Sequence, residues 1–110
     1  MSRPRELPRT TIAVNGLSMA LVDAGQGPPV VLLHGFPDSA DLWRHQVPAL
    51  AGAGFRVIAP DLRGMGETDA PPDTASYTNQ HFFADFVALI DQLGLSHVDL
   101  VGHDIGAAAA

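Results

Sequence analysis

The chain contains no cysteine. Disulfides and thiolate metal sites are therefore excluded, and the redox compartment leaves no mark on the composition. Lysine is also missing: all six basic residues are arginine, set against 12 acidic ones, for a formal net charge of -6. A chain this acidic repels phosphate backbones, which argues against nucleic acid as a partner. No apolar run approaches the length of a membrane span, which argues against a membrane partner. The opening residues, MSRPRELPRTT, carry positive charge but no apolar stretch follows them, so they do not have the form of a secretory signal. The default expectation is a soluble cytoplasmic protein, with no metal and no cofactor. Arg3, Arg5 and Arg9 cluster at the start, and residues 1–9 are expected to form a solvated, frayed tail rather than a binding patch.

What is present is an ordinary globular chain. Its 110 residues suffice for one small domain, and a hydrophobic share of 46% is too high for a disordered segment. Thr10 to Val14 and Leu17 to Val22 are short apolar-rich runs joined by Asn15-Gly16. Both turn residues tolerate positive φ, so the segment predicts a β-hairpin. Val30 to Leu33 is an unalternating apolar run, which predicts a strand buried on both faces within a parallel sheet. Asp41 to Ala53 has helical spacing in Leu42, Trp43, Val47 and Leu50, but Pro48 argues against one unbroken helix: a turn is expected first, with Pro48 near the start of the main helical piece. Arg56 to Ala59 predicts the next strand, and Leu62 to Ser76 reads as a long loop.

Thr78 is expected to cap a helix running to Leu93, with Gly94 just past its end. Phe82, Phe86, Leu89, Ile90 and Leu93 form its apolar stripe. Val98 to Val101 predicts a further strand. Strands thus alternate with helices, which points to the α/β class. No internal repeat or low-complexity segment interrupts the pattern.

The chemistry-bearing segment is Gly102-His103-Asp104-Ile105-Gly106, a G-x-D-x-G run between a strand and a helix start. Glycines flanking the central residue let strand and helix approach closely around a strained turn. Two further segments stand in order before it. His34-Gly35-Phe36-Pro37 follows the strand ending at Leu33. Asp61-Leu62-Arg63-Gly64-Met65-Gly66-Glu67-Thr68-Asp69 follows the strand ending near Ala59. Each lies at the carboxyl end of a predicted strand, where open α/β sheets place their sites.

These three segments resemble the α/β-hydrolases. The last is similar to the nucleophile elbow, the first to the H-G-x-P loop of epoxide hydrolases and their dehalogenase relatives, and the middle one to a D-x-R-G-x-G-x-S-D loop, with Thr68 in place of the usual serine. The likeness extends from Thr10 nearly to the end. It implies an N-terminal part of an α/β-hydrolase fold: a mostly parallel sheet with an antiparallel N-terminal hairpin and flanking helices. Residues 10–110 would be a partial core domain that stops after the elbow, without the lid and the C-terminal part. It also implies site roles. Asp104 would be the nucleophile. The backbone N–H groups of Phe36 and Ile105 would form the oxyanion hole. His34, Gly35, Pro37, Gly102, His103 and Gly106 would support the motifs, Pro37 by fixing φ.

An aspartate at the elbow changes the reaction. A carboxylate is ionised at neutral pH and needs no base for its own attack. It suits displacement at a saturated carbon, giving an alkyl-enzyme ester that water then hydrolyses with the help of a base. In this fold the acid and the catalytic histidine follow the nucleophile in chain order, so none of the histidines present is expected to be that base. His34 is expected to brace its loop through hydrogen bonds, and His103 should diverge from its neighbour on the tight turn. His45, His81 and His97 are expected at the surface. Trp43 and the phenylalanines Phe82 and Phe86 are expected in the core, and Arg63 is expected to brace its loop.

Among aspartate-nucleophile relatives, haloalkane dehalogenases resemble these motifs but hold the halide with side-chain N–H donors, which Ile105 and Phe36 lack. Haloacetate dehalogenases tend to place arginine near the elbow, where Ile105 and Ala108 are apolar. The resemblance therefore favours a hydrolase that opens small-molecule epoxides with water when full length, with a dehalogenase as the alternative. A third reading, from another class, is a non-catalytic fragment or half of a split protein. In either case the cut sheet is expected to self-associate through an exposed strand edge.

Overall fold

The computed structural model describes residues 7–35, 38–72 and 74–102. Strand β1 (Thr10–Val14) and strand β2 (Leu17–Ala24) pair antiparallel, with Val14 opposite Leu17. The turn between them has Asn15 at φ 50° and Gly16 at φ 78°, the two left-handed positions that Asn-Gly supplies at least steric cost. Strand β3 (Pro29–Leu33) follows. A short 3₁₀ turn (Ala40–Trp43) and helix α1 (Gln46–Gly52) connect it to strand β4 (Arg56–Pro60). After a second 3₁₀ turn (Thr74–Ser76) come helix α2 (Asn79–Leu93) and strand β5 (Asp99–Gly102).

The segment 41–53 is thus a 3₁₀ turn followed by a helix, as the position of Pro48 implies. Ser39 caps the first by accepting a hydrogen bond from the Asp41 amide. Pro48 is the third residue of α1, where its missing N–H belongs to a turn whose amides have no intrahelical acceptor anyway. Helix α2 has both expected ends. The Thr78 hydroxyl accepts from the His81 amide, and Gly94 closes the helix at φ 68°.

The described strands form one sheet in the order β1-β2-β4-β3-β5. β3 runs parallel to both β4 and β5, and β2 runs antiparallel to β4. Side-chain alternation splits the core between two faces. Val31, Leu33, Ile58, Met19 and Leu21 point to the face covered by α2 through Phe82 and Leu89. Val30, Leu32, Val57, Ala59 and Val22 point to the face covered by Ala40 and by Val47 of α1, with Trp43 packed against them. Burial of each large aliphatic among these contributes about 1.5–3 kcal/mol. The expected α2 stripe is therefore core, with Phe86, Ile90 and Leu93 partly buried beside it. The fully buried Asp85 within that stripe was not expected from the apolar pattern.

Among the described residues β5 pairs with β3 alone and forms an edge, with Asp99 and Val101 exposed. No helix among them is long and apolar enough to cross a membrane.

Candidate active site

The site is built at the carboxyl ends of the parallel strands. β3 lies between β4 and β5, and its register pairs Leu33 with Gly102. Leu33 is the residue before His34-Gly35-Phe36-Pro37, and Gly102 opens the elbow segment. The two motif-bearing loops therefore leave the sheet from adjacent, aligned strand ends. Phe36, Pro37, His103, Asp104, Ile105 and Gly106 themselves lie outside the described residues.

His34 is completely buried. Its Nε2 accepts a hydrogen bond from the Leu62 amide at 2.9 Å, and its Nδ1 lies 2.7 Å from the Gly35 carbonyl oxygen. An accepting Nε2 leaves the proton on Nδ1, which donates to that carbonyl. Burial holds the imidazole pKa below its ordinary value, and the Gly35 hydrogen bond only partly opposes this. The residue is a neutral brace between the 34–39 loop and the 61–69 loop, as expected.

Asp61 is the centre of the second loop and is also fully buried. Its Oδ1 accepts from the Ala40 amide at 2.8 Å and its Oδ2 from the Glu67 amide at 3.0 Å. Gly66, at φ 56°, passes so close that a Cβ there would strike the Asp61 carboxylate. Thr68 donates to the Asp61 carbonyl at 2.7 Å and accepts from the Ala20 amide at 2.9 Å, so the hydroxyl common to Thr and Ser is what this position uses. Asp69 ties the loop to β2 by accepting from the Ser18 amide. The stretch that reads as a long loop is a hydrogen-bonded plate laid along β2.

Arg9 overturns one expectation. It belongs to no frayed tail: its side chain is 5% exposed and forms ion pairs with Asp41 and Asp61, each at 3.0 Å. Burial alone would lower the guanidinium pKa, but the hydrogen bonds to the two carboxylates outweigh it and raise it. The same contact and the Leu7 amide hold the Asp41 carboxyl below its usual range, against the upward pull of burial. Sequence reasoning missed Arg9 because its partners lie 32 and 52 positions away, and no local pattern links them.

Arg63 braces its loop, as expected, and does so through a buried pair. Its Nε and Nη2 donate to Asp85 of α2 at 2.9 and 2.8 Å, and its Nη1 donates to the Ser76 carbonyl. Asn15 of the hairpin turn donates to Asp85 as well, at 2.8 Å. This explains why the apolar stripe of α2 admits a carboxylate. His45, His81 and His97 are exposed. Trp43 packs as core, although its indole N–H finds no acceptor among the described residues. No group of three or more His, Cys, Asp or Glu side chains among the described residues could hold a metal ion.

A mixed sheet whose β4-β3-β5 strands run parallel, with helices on both faces and the motif-bearing strands aligned at their carboxyl ends, is the hydrolase architecture. The profile of the α/β hydrolase fold matches residues 28–110, and the chain belongs to that family. Within it, the chain is similar to epoxide hydrolases. It is 52% identical over 105 residues to epoxide hydrolase 2 of Siraitia grosvenorii, covering 96% of this chain and 33% of that protein. To an epoxide hydrolase of Caballeronia sordidicola it is 48% identical over 99 residues, covering 90% and 30%. The crystal structure of an epoxide hydrolase from Vigna radiata superposes with a TM-score of 0.90 at 50% identity, covering 94% of this chain and 34% of that one. The chain thus spans about a third of the length of the curated relatives it matches.

Proposed function

We propose that this chain is the nucleophile-bearing part of an epoxide hydrolase that works through a covalent ester on Asp104. The observation that carries the reading is the parallel register Leu33↔Gly102, which ends the strands of the H-G-F-P and G-H-D-I-G segments side by side. An Asp104 carboxylate oxygen attacks an epoxide carbon, the ring C–O bond breaks, and the resulting alkoxide takes up a proton. The backbone N–H groups of Phe36 and Ile105 serve as the oxyanion hole when water attacks the ester carbonyl, and the diol leaves. No residue among the 110 is assigned as the base for that water, because in this fold the acid and the histidine follow the nucleophile. Ile105 and Phe36 bring no side-chain N–H toward a departing halide, which favours epoxide over haloalkane.

The test uses the chain together with the sequence that follows it in the complete protein. Rapid quenching with styrene oxide, followed by peptide mass analysis, should find the adduct on the Asp104 peptide. Turnover should exceed that of 1-bromobutane in kcat/KM. An adduct elsewhere, unaltered turnover in Asp104→Ala, or a preference for the bromide overturns the assignment.

A further inference from the structure

We propose that Arg9 is the positioning residue for the 34–39 loop, acting from the N-terminal arm through Asp41 and Asp61. The structural half stands on the geometry alone, and its catalytic consequence rests on the hydrolase reading above.

The guanidinium is used to capacity. A guanidinium has five N–H donors and no acceptor. Nε donates to Asp61 Oδ2 at 3.0 Å. Nη1 donates to Asp41 Oδ1 at 3.0 Å and to the Leu7 carbonyl. Nη2 donates to Asp41 Oδ2 at 3.1 Å and to Asp61 Oδ1 at 3.2 Å. Five donors meet five acceptors. Asp41 also accepts from the Leu7 amide at 2.9 Å, so the arm is tied back onto the same carboxylate.

The two carboxylates are what connect Arg9 to the site. Asp61 holds the Ala40 amide, where the 34–39 loop returns into its 3₁₀ turn, and the Glu67 amide in the second loop. Asp41 lies one residue past Ala40 and accepts from the Ser39 hydroxyl at 3.3 Å. At the loop's outgoing end, His34 is held by Leu62. The described residues on either side of Phe36 and Pro37 are therefore anchored, and those on the returning side are anchored on carboxylates that Arg9 bridges. Oxygens of Asp41 and Asp61 sit on the same Nη2, with side chains only 11% and 0% exposed. Without Arg9, the two carboxylates lose the guanidinium that bridges them, and the Ala40 and Glu67 anchors on Asp61 loosen.

The role is geometric as well as electrostatic, and this separates arginine from lysine. An ammonium offers three donors at one point and cannot span both carboxylates and the Leu7 carbonyl in one plane.

The experiment compares the parent chain with Arg9→Gln and Arg9→Lys by amide hydrogen exchange. Ala40 and Glu67 report the anchors, and the amides of β4 report the core. We expect Arg9→Gln to speed exchange at Ala40 and Glu67 by about 10-fold or more while β4 is little changed, because local opening is cheaper than global opening. Arg9→Lys should fold and restore the protection only in part. If Arg9→Gln fails to fold, the lysine variant alone decides. Full protection at Ala40 and Glu67 in either variant overturns the proposal, and so does acceleration equal to that of β4. In the complete hydrolase, Arg9→Lys should lower kcat about 10-fold with KM held within about twofold, as expected for a misplaced donor. Unchanged kcat beside accelerated exchange would overturn the catalytic half. A parent protein without epoxide turnover would overturn the hydrolase reading and leave the exchange result standing on its own.

Discussion

Two buried arginine–aspartate clamps hold this molecule, and they are built differently. Arg63 and Asp85 join the 61–69 loop to α2 and, through Asn15, to the hairpin turn. Among the described residues, every partner of the Asp85 carboxylate is a side chain. Arg9 and Asp61 join the arm to the loops at the carboxyl edge, and Asp61 also accepts from two backbone amides. A carboxylate whose described partners are all side chains leaves no amide orphaned when it is exchanged, together with its arginine, for apolar residues of like volume, although the Ser76 carbonyl then loses the Arg63 donor. A carboxylate that satisfies backbone N–H groups cannot be exchanged in this way, because the amides stay behind. The first clamp is replaceable scaffold. The second is bound into the geometry of the candidate site.

The largest expected effects come from breaking this comparison directly. Asp61→Leu removes the acceptor of Ala40 and Glu67 and leaves Arg9 buried beside an apolar side chain. It should destabilise by about 3–5 kcal/mol, and adding Arg9→Met should recover little of that, since the two amides remain unpaired and Asp41 loses the Arg9 guanidinium. Arg63→Met alone should also lose about 3–5 kcal/mol, because Asp85 then sits as an uncompensated buried charge. Here the double variant Arg63→Met/Asp85→Leu should return most of the stability. Asn15, at the exposed turn, can exchange Asp85 for water. Urea titration of the four variants measures both recoveries. Equal recovery in the two clamps would erase the distinction.

The parts of this molecule that were legible in the sequence are those whose causes are local. Asn15-Gly16 announces its own turn because two adjacent residues carry the φ requirement. Thr78 and Gly94 mark both ends of α2, and the run Val30 to Leu33 marks a strand covered on two faces. His34 and Arg63 were legible as braces, being polar residues within loops that need fixing. The hub at Asp61 was not, although the residue stood in plain view in its motif. Its partners come from the arm, from Ala40 and from Glu67, and no spacing rule brings those together. Arg9 was misread for the same reason: beside Arg3 and Arg5 it resembles any basic terminus, and only the folded sheet shows two carboxylates waiting for it. For Asp104, Ile105, Phe36, Pro37, His103 and Gly106, the motif order and the register of the strands leading to them remain the support.

A smaller effect comes from pH, at residues beside the second clamp. Burial holds His34 below its ordinary value, and Asp41 is held below its own by Arg9 and Leu7 despite burial. Both folded-state values are depressed, so on acidification the unfolded chain takes up these protons first, and stability falls. His34 contributes fully above its unfolded value of 6.5 and less as pH drops through that point, while Asp41 begins to lose its contribution only below 3.8. Thermal unfolding should therefore weaken between about pH 7.5 and pH 5 in the parent, and His34→Gln should flatten that slope while lowering stability throughout. A slope of the same size in His34→Gln would assign the titration to another group.

The smallest expected effect comes from a third arginine pair that looks like the clamps on distance alone. Arg56 of β4 donates from Nε and Nη2 to Asp23 of β2 at 3.0 and 2.7 Å, a fork as well formed as either buried one. The difference is water. These side chains are 30% and 29% exposed, whereas those of Arg63 and Asp85 are 6% and 1% exposed. Exposed charges keep most of their hydration when the partner is lost, and salt screens what attraction remains. The hydrogen bonds to Asp23 raise the Arg56 pKa, yet arginine is charged on either side of that shift over any working pH range. Arg56→Gln should therefore cost no more than about 1 kcal/mol, and high salt should shrink the difference further. A loss approaching that of Arg63→Met, and insensitive to salt, would mean that fork geometry rather than desolvation sets the strength of these pairs, and the contrast between the two buried clamps would have to be rebuilt on that basis.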